Sequence, residues 1–122
     1  LDLDAQHAGA FSTARETALM LAYGLKKFPS IFSETRWSEL TLAGDKEKHE
    51  AKNTNRETGN FPLLIASKTG YTDLAGGNLV IAFDAGFGHP IIVSVLGSTV
   101  DGRFTDAEAL VWATLDALSK AN

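Results

Sequence analysis

Lys68, Thr69 and Gly70 are consecutive residues whose side chains suit the binding of a carboxylate. The lysine ammonium supplies positive charge, and the neighbouring threonine hydroxyl supplies a hydrogen bond. The glycine lets the backbone of a ligand approach closely. The same tripeptide is also typical of an ordinary strand that ends in a turn, so the residues around it decide between the two interpretations.

The residues that follow make this segment more specific. They read Tyr71-Thr72-Asp73-Leu74-Ala75-Gly76-Gly77-Asn78 and lead into an apolar run over residues 79–83. This string resembles the D-alanyl-D-alanine carboxypeptidase family of penicillin-binding proteins, where Lys-Thr-Gly precedes a similar Thr-Asp-x-Ala-Gly-x-Asn-Leu-Val sequence. Residues 12–18 resemble the helix that follows the family's Ser-x-Asn motif, and residues 52–56 resemble a segment shortly before Lys-Thr-Gly. The resemblance therefore covers nearly the whole chain.

Two motifs of that family are absent from the sequence. One is Ser-x-x-Lys, which holds the nucleophile and its base, and the other is Ser-x-Asn, which holds a second active-site serine. The nearest patterns are Ser12-x-x-Arg15 and Ser33-x-x-Arg36, but arginine stays protonated and cannot act as a base. In the family both motifs precede the region that resembles this chain. The resemblance thus implies the C-terminal half of such an enzyme, and we expect residues 1–122 alone to be inactive.

The resemblance also implies roles for four residues of the motif. Lys68 would provide positive charge and organise the second serine, and Thr69 would donate its hydroxyl to the terminal carboxylate of the substrate. Gly70 would let the substrate bind beside the strand like an added strand. The backbone N–H of Tyr71 would be one of two oxyanion-hole donors, although the family commonly has histidine there. Without the resemblance, Lys68 and Thr69 are most simply a solvated lysine and a β-branched strand residue.

Arg103 is the fifth site residue that the resemblance implies. It follows the last predicted strand, at the spacing where the family has an arginine that grips the terminal carboxylate, and a guanidinium suits that task. The alternative is a surface arginine in a turn. Asp73 and Asn78 are predicted to shape their turn, and Asn53 and Asn55 are predicted to be structural.

Composition excludes several other functions. The net charge of −4 and the isoelectric point of about 5.2 disfavour nucleic acid and anionic membranes as partners. Cysteine is absent, which excludes disulfides and thiolate metal sites. His7, His49 and His89 lie far apart, without the spacing of a metal pair, so no metal or other cofactor is predicted. No apolar run approaches the roughly 20 residues that span a bilayer.

The helices are predicted from caps and apolar periodicity. Residues 1–11 read as a loop, after which Thr13 and Glu16 form a capping box for a helix over residues 13–27. Pro29 prevents that helix from continuing, and residues 30–33 form one further short turn. Thr105 and Glu108 repeat the capping-box pattern and predict a final helix that ends near Lys120 and packs across a sheet.

The strands are predicted from β-branched residues and turns. An edge strand over residues 36–42 and a second over residues 50–55 form a hairpin through a charged turn at 44–48. A loop at 56–62 leads to three strands over residues 65–71, 78–85 and 91–96, which form an antiparallel meander. The glycine-containing segments 76–77 and 85–90 separate them.

These elements predict one α+β domain over residues 1–122, with an antiparallel sheet and flanking helices. The resemblance sharpens this to part of the DD-peptidase and β-lactamase-like fold, with the Lys-Thr-Gly strand at a sheet edge beside an absent helical half. We expect that half to be supplied in cis or in trans, or the apolar surface to be covered by a dimer or a swapped assembly.

The function implied is a serine-type D-alanyl-D-alanine carboxypeptidase that binds penicillin and trims peptidoglycan stem peptides outside the cytoplasm. Its ligands would be a stem peptide or a β-lactam, and its acyl-enzyme would be hydrolysed by water. An alternative is a truncated or split domain without catalysis, which binds a carboxylate ligand or a partner chain. A class A β-lactamase ranks lower, because the residues after Lys-Thr-Gly resemble the carboxypeptidases more closely.

Overall fold

The computed structural model describes residues 4, 6–86 and 88–121. Three helices and five strands follow one another along these residues. They are α1 (Ala14–Lys27), α2 (Pro29–Ser33), β1 (Glu39–Ala43), β2 (Lys48–Lys52), β3 (Leu64–Thr72), β4 (Gly76–Asp84), β5 (Pro90–Ser98) and α3 (Gly102–Ala121), with short 3₁₀ turns at Glu34–Arg36 and Thr58–Asn60. Residues 6–11 contain no helix or strand, and the rest of the loop predicted for residues 1–11, apart from residue 4, lies outside the described residues, as does residue 87.

The strands pair as the predicted hairpin and meander, but these form two separate antiparallel sheets, whereas the sequence predicted one sheet. β1 and β2 make a two-stranded hairpin, and β3, β4 and β5 make a three-stranded meander with β4 in the centre. The α+β class with antiparallel sheets is therefore confirmed. In the meander, β3 pairs with β4 on one side, and no strand of the described residues pairs with it on the other.

β4 has a helix against each of its faces. Leu79, Ile81 and Phe83 are buried in one apolar cluster with Phe104 and Val111 of α3. Ala82 points the other way and packs with Leu21 of α1 and Ala66 of β3. This alternation follows from the two-residue period of a strand. The prediction that the final helix packs across one face of the sheet is confirmed.

α1 has the capping box that its sequence predicts. Thr13 is the N-cap, and its hydroxyl accepts a hydrogen bond from the Glu16 N–H at 3.2 Å. The Glu16 carboxylate in turn accepts a bond from the Thr13 N–H at 2.8 Å. This backbone bond, helped by the one from the Thr13 hydroxyl, lowers the pKa of Glu16. Residues 30–33 also form the predicted short turn, inside α2.

The predicted capping box of the final helix is wrong. α3 begins at Gly102, so Thr105 lies inside the first turn and its hydroxyl donates to the Gly102 carbonyl oxygen. The hydroxyl of Thr99 instead accepts from the Gly102 N–H at 2.8 Å. The helix therefore starts one turn earlier than its apolar pattern indicates.

The bounds of the hairpin also differ from the prediction. The first strand starts at Glu39, because residues Glu34–Arg36 continue from α2 as a 3₁₀ turn. The second strand covers Lys48–Lys52 and ends before Asn53. The Asn53 N–H still donates to the Ser38 carbonyl oxygen at 2.8 Å, and its side-chain amide donates to the carbonyl oxygens of Thr35 and Trp37, at 2.8 and 2.9 Å.

The two threonines offer a matched test of the helix starts. Thr13→Ala removes a real N-cap and is expected to lower the free energy of unfolding by about 1 kcal/mol. Thr105→Ala replaces an exposed residue inside a helix and is expected to change it by less than about 0.5 kcal/mol. Urea denaturation of both variants checks this. Equal losses at the two positions would contradict the assigned start of α3.

Candidate functional site

Alternate backbone N–H groups of β3 point to its outer edge, away from β4. The N–H of Ser67 points away from β4 and donates to the Thr35 hydroxyl at 3.0 Å. Because the direction of backbone groups alternates along a strand, the N–H groups of Thr69 and Tyr71 point to the same side. Among the described residues, no strand pairs with β3 on that side. The Tyr71 N–H therefore points to the edge of β3 that carries no partner strand.

Thr69 turns its side chain toward the α3 face of the sheet. It lies opposite Leu79, whose side chain is part of the cluster with α3. Its side chain is 7% exposed, and its hydroxyl oxygen lies 2.5 Å from that of Thr54. The Thr69 hydroxyl is thus held in one place by a second hydroxyl.

Lys68 lies on the opposite face and reaches the same edge. It is paired with Val80 across the ladder and borders an apolar hollow that contains Leu21 and Phe32. Its ammonium group folds back and donates to the Thr69 carbonyl oxygen, which by strand alternation points to the free edge. The positive charge of Lys68 is therefore held at the edge of β3.

A cleft of about 220 Å³ adjoins this edge. The 3₁₀ turn after α2, the β1–β2 hairpin, the loop after β2, and β3 all contribute to its wall. Its lining residues include Thr35, Trp37, Leu40, Asn53, Thr54, Lys68 and Thr69. Ser67 also lines it, but its hydroxyl donates to the Thr35 carbonyl oxygen at 3.0 Å, which gives this serine a structural partner and no base.

Arg103 is not the surface arginine in a turn that the sequence alone allowed. It lies in the first turn of α3 and is 7% exposed. Its guanidinium donates to the Gly70 carbonyl oxygen at 3.0 Å and lies 4.7 Å from the centre of the Phe104 ring. The structure thus brings Arg103 against the motif strand, on the same face as the Thr69 side chain.

Neither cation of the site has a carboxylate partner among the described residues. The ion pairs within residues 4, 6–86 and 88–121 join His7 to Asp4, Arg56 to Glu57 and Asp101, and Lys120 to Asp116. The buried Nε of Arg103 also has no hydrogen-bond partner. A buried guanidinium without a counter-charge is costly, so the site favours an anionic ligand.

The space around Gly70 differs from that around Gly77. A β-carbon at Gly70 would meet only the Asn78 Cβ, at an ordinary 3.8 Å, and Gly70 does not adopt a positive φ. At Gly77 it would lie 2.0 Å from the Thr99 carbonyl oxygen. Gly77 therefore lets the end of β5 approach β4 and bring α3 into place, whereas no contact with the described residues requires glycine at position 70.

Tyr71 has a partner in the turn that follows the motif. Its hydroxyl donates to the Asp73 carboxylate at 2.9 Å. This hydrogen bond, with the negative charge of Asp73, raises the pKa of Tyr71. Asp73 thus holds the exposed ring, and Asn78 shapes the same turn region by donating to the Gly76 carbonyl oxygen at 2.9 Å.

The structure brings all five predicted site residues to one strand and the helix start beside it. The sequence analysis missed Thr54, which contacts Thr69, and Arg56, which pairs with Asp101 at the start of α3. Both residues lie in the segment 52–56, and the resemblance of that segment to the family is the sequence signal that points to them. Asn53 and Asn55 are structural, as predicted, because their side chains bind backbone groups.

Residues 4, 6–86 and 88–121 hold no group of three or more His, Cys, Asp or Glu side chains that could bind a metal ion. Over the same residues, no helix has both the length and the apolar character that crossing a membrane requires.

The chain is similar to known proteins in sequence and in fold. A family model described as D-alanyl-D-alanine carboxypeptidase matches residues 1–100. Penicillin-binding protein D2 from Listeria monocytogenes, in its ampicillin-bound form, has a TM-score of 0.74 and 29% identity over 89% of this chain and 43% of its own. A D-alanyl-D-alanine carboxypeptidase from Mycobacterium tuberculosis H37Rv shares the fold, with a TM-score of 0.62 and 21% identity over 78% of this chain and 35% of its own. The chain spans less than half the length of either solved relative. No curated protein matches the sequence.

Substituting Gly70 and Gly77 tests whether each glycine is required for the stability of the fold. Gly70→Ala is expected to change the free energy of unfolding by less than about 1 kcal/mol, because its neighbours leave room. Gly77→Ala forces a β-carbon into backbone and is expected to lower it by at least about 2 kcal/mol. Chemical denaturation of both variants measures the difference. A large loss at Gly70 would show that its glycine serves the fold.

The Tyr71–Asp73 contact predicts a pH effect. The bond stabilises the protonated phenol, so its contribution is present at neutral pH and is lost as the pH rises through the raised pKa. Asp73→Asn is expected to lower the pKa of Tyr71 toward its usual value. The phenolate absorbance of the protein minus that of Tyr71→Phe isolates this titration. An unchanged midpoint in Asp73→Asn would contradict the contact.

Proposed function

The chain belongs to the D-alanyl-D-alanine carboxypeptidase family, and on that basis we propose that residues 68–70 form one wall of the active site of a serine carboxypeptidase. Its substrate is a peptidoglycan stem peptide that ends in D-alanyl-D-alanine, and β-lactams bind in the same place. The enzyme acts outside the cytoplasm, where that substrate lies. The similarity to penicillin-binding protein D2 in its ampicillin-bound form supports the β-lactam part of the proposal.

The observation that carries the proposal is the positive charge held against β3 by Lys68 and Arg103. Lys68 and Arg103 contact the carbonyl oxygens of Thr69 and Gly70, and neither has a carboxylate partner among the described residues. The Thr69 hydroxyl lies on the same strand, beside a cleft. Positive charge with a hydroxyl donor is the chemistry that recognises a free carboxylate. Both a D-alanyl-D-alanine peptide and a penicillin carry one.

Each residue has a defined task in this reaction. The Thr69 hydroxyl donates a hydrogen bond to the terminal carboxylate of the substrate. The positive charge of Arg103, held against the Gly70 carbonyl oxygen, attracts the same carboxylate. Gly70 lets the peptide lie along the edge of β3. The Tyr71 N–H stabilises the oxyanion that forms on the scissile carbonyl. Lys68 adds positive charge where that anion and the second active-site serine would be.

The nucleophile must come from outside these residues. The sequence contains no Ser-x-x-Lys or Ser-x-Asn, and we propose that a preceding segment, in cis or in trans, supplies both. Its serine oxygen would attack the carbonyl between the two D-alanines, the terminal D-alanine would leave with a proton on its amine, and water would hydrolyse the acyl-enzyme. In this scheme residues 1–122 are the C-terminal portion of a penicillin-binding domain and are inactive alone.

Intact mass before and after incubation with a penicillin tests the proposal. The full-length protein is expected to gain the mass of the penicillin, because the β-lactam ring opens onto the serine. Residues 1–122 alone are expected to stay at 13.0 kDa. An adduct on the isolated chain would refute the external nucleophile, and no adduct on the full-length protein would favour a binding unit without catalysis. Rapid turnover of the penicillin would instead indicate a β-lactamase.

Substitutions in the full-length protein test the assigned roles. Thr69→Val removes one hydrogen bond to a charged group and is expected to slow acylation by about 10- to 100-fold. Lys68→Ala is expected to slow it by about 100-fold or more, as for loss of a preorganised donor. Lys48→Ala is the control, since Lys48 is exposed on β2 outside the cleft. In Thr69→Val and Lys68→Ala, the rate of D-alanine release from a D-alanyl-D-alanine peptide should fall in parallel with the rate of acylation.

A further inference from the structure

A pair of threonine hydroxyls lies at the centre of the site. The hydroxyl oxygens of Thr54 and Thr69 are 2.5 Å apart. Thr54 is exposed, whereas Thr69 is buried. Thr54 follows β2 and Thr69 lies within β3, so the contact joins two elements that share no ladder. We propose that Thr54 is a positioning residue, which donates to Thr69 and thereby directs the single Thr69 proton to the carboxylate of the ligand.

The number of protons that each hydroxyl can donate leads to this assignment. A hydroxyl has one proton to donate and two lone pairs that accept. If Thr69 donated its proton to Thr54, it would have none for a carboxylate. If Thr54 is the donor, the Thr69 oxygen accepts from it and the Thr69 proton stays available. A carboxylate at the edge of β3 selects the second arrangement, because it accepts bonds and cannot donate.

The loop that carries Thr54 is fixed on both sides of it. The side-chain amide of Asn53 donates to the Thr35 and Trp37 carbonyl oxygens, and its side-chain oxygen accepts from the Asn55 N–H at 2.9 Å. The Asn55 side chain is fully buried and accepts from the Glu57 N–H at 3.1 Å. Thr54 is therefore presented to Thr69 at little further cost in conformational entropy.

Arg56 ties the same loop to the start of α3. Its guanidinium pairs with Asp101 and lies 5.4 Å from the centre of the Phe104 ring. Arg103 stacks on that ring as well. The loop, the Thr69 hydroxyl and Arg103 thus belong to one connected set of contacts, and the loop keeps its anchors when the Thr54 hydroxyl is removed.

The inference rests on the proposed function, and its test uses the full-length protein. Thr54→Val keeps the shape of the side chain and removes the hydroxyl, whereas Thr54→Ser keeps the hydroxyl. The second-order rate of acylation by a penicillin is expected to fall about tenfold in Thr54→Val, as for one lost hydrogen bond to a polar partner. It should stay within about twofold of the unsubstituted protein in Thr54→Ser.

A double-substitution cycle separates positioning from simple support of the loop. If Thr54 acts through Thr69, adding Thr54→Val to Thr69→Val should cause no further loss of rate. The loss in Thr54→Val should also shrink for a peptide whose terminal carboxylate is replaced by an amide. A thermal melt of each variant checks folding, and Thr54→Ala replaces Thr54→Val if the valine variant does not fold.

Each outcome decides the matter. A Thr54→Val protein that is acylated at the original rate, or a loss that persists in the Thr69→Val background, overturns the positioning role and leaves the proposed function intact. An equal loss of acylation rate in Thr54→Ser also overturns the positioning role. If the unsubstituted full-length protein is not acylated and releases no D-alanine, the proposed function fails, and the role of Thr54 fails with it.

Discussion

The burial of β4 on both faces is the constraint on which the rest of the structure depends. Leu79, Ile81 and Phe83 require α3 on one side, and Ala82 packs toward α1 on the other. β4 is also the central strand of the meander, because each of the three strands pairs with the next along the chain. Among the described residues, β3 therefore pairs on one side only. The candidate site lies at the other edge of β3, beside the core that β4 and the two helices form.

The close approach of the backbone after β5 to Gly77 connects this core to the candidate site. With no side chain there, the end of β5 passes against β4, and α3 starts where the Arg103 guanidinium reaches the Gly70 carbonyl oxygen. The result is a buried cation without a carboxylate partner among the described residues. Sites that bind anions commonly retain such a cost in stability, because the ligand supplies the missing charge.

Local sequence signals located most elements well. The Thr13–Glu16 box and the apolar spacing of α1 are contacts within one or two turns, so the sequence contains all their partners. The three strands of the meander are also local in this sense, since each pairs with the next along the chain. Prediction failed at the start of α3 and in the hairpin. At the start of α3 the true cap, Thr99, is also local, but Thr105 with Glu108 fits the capping-box pattern better than Thr99 does. In the hairpin, the Asn53 side chain binds Thr35, which is 18 residues away.

By itself, the sequence determined the family, the α+β class and the identity of the residues that line the edge of β3. Those depend on short strings and on periodicity, which need no knowledge of distant contacts. Only the tertiary structure decided that Arg103 is buried against Gly70, 33 residues away, and that Thr54 meets Thr69, 15 residues away. The physical reason is that a hydrogen bond between distant residues depends on how the layers pack, and packing is a property of the whole core.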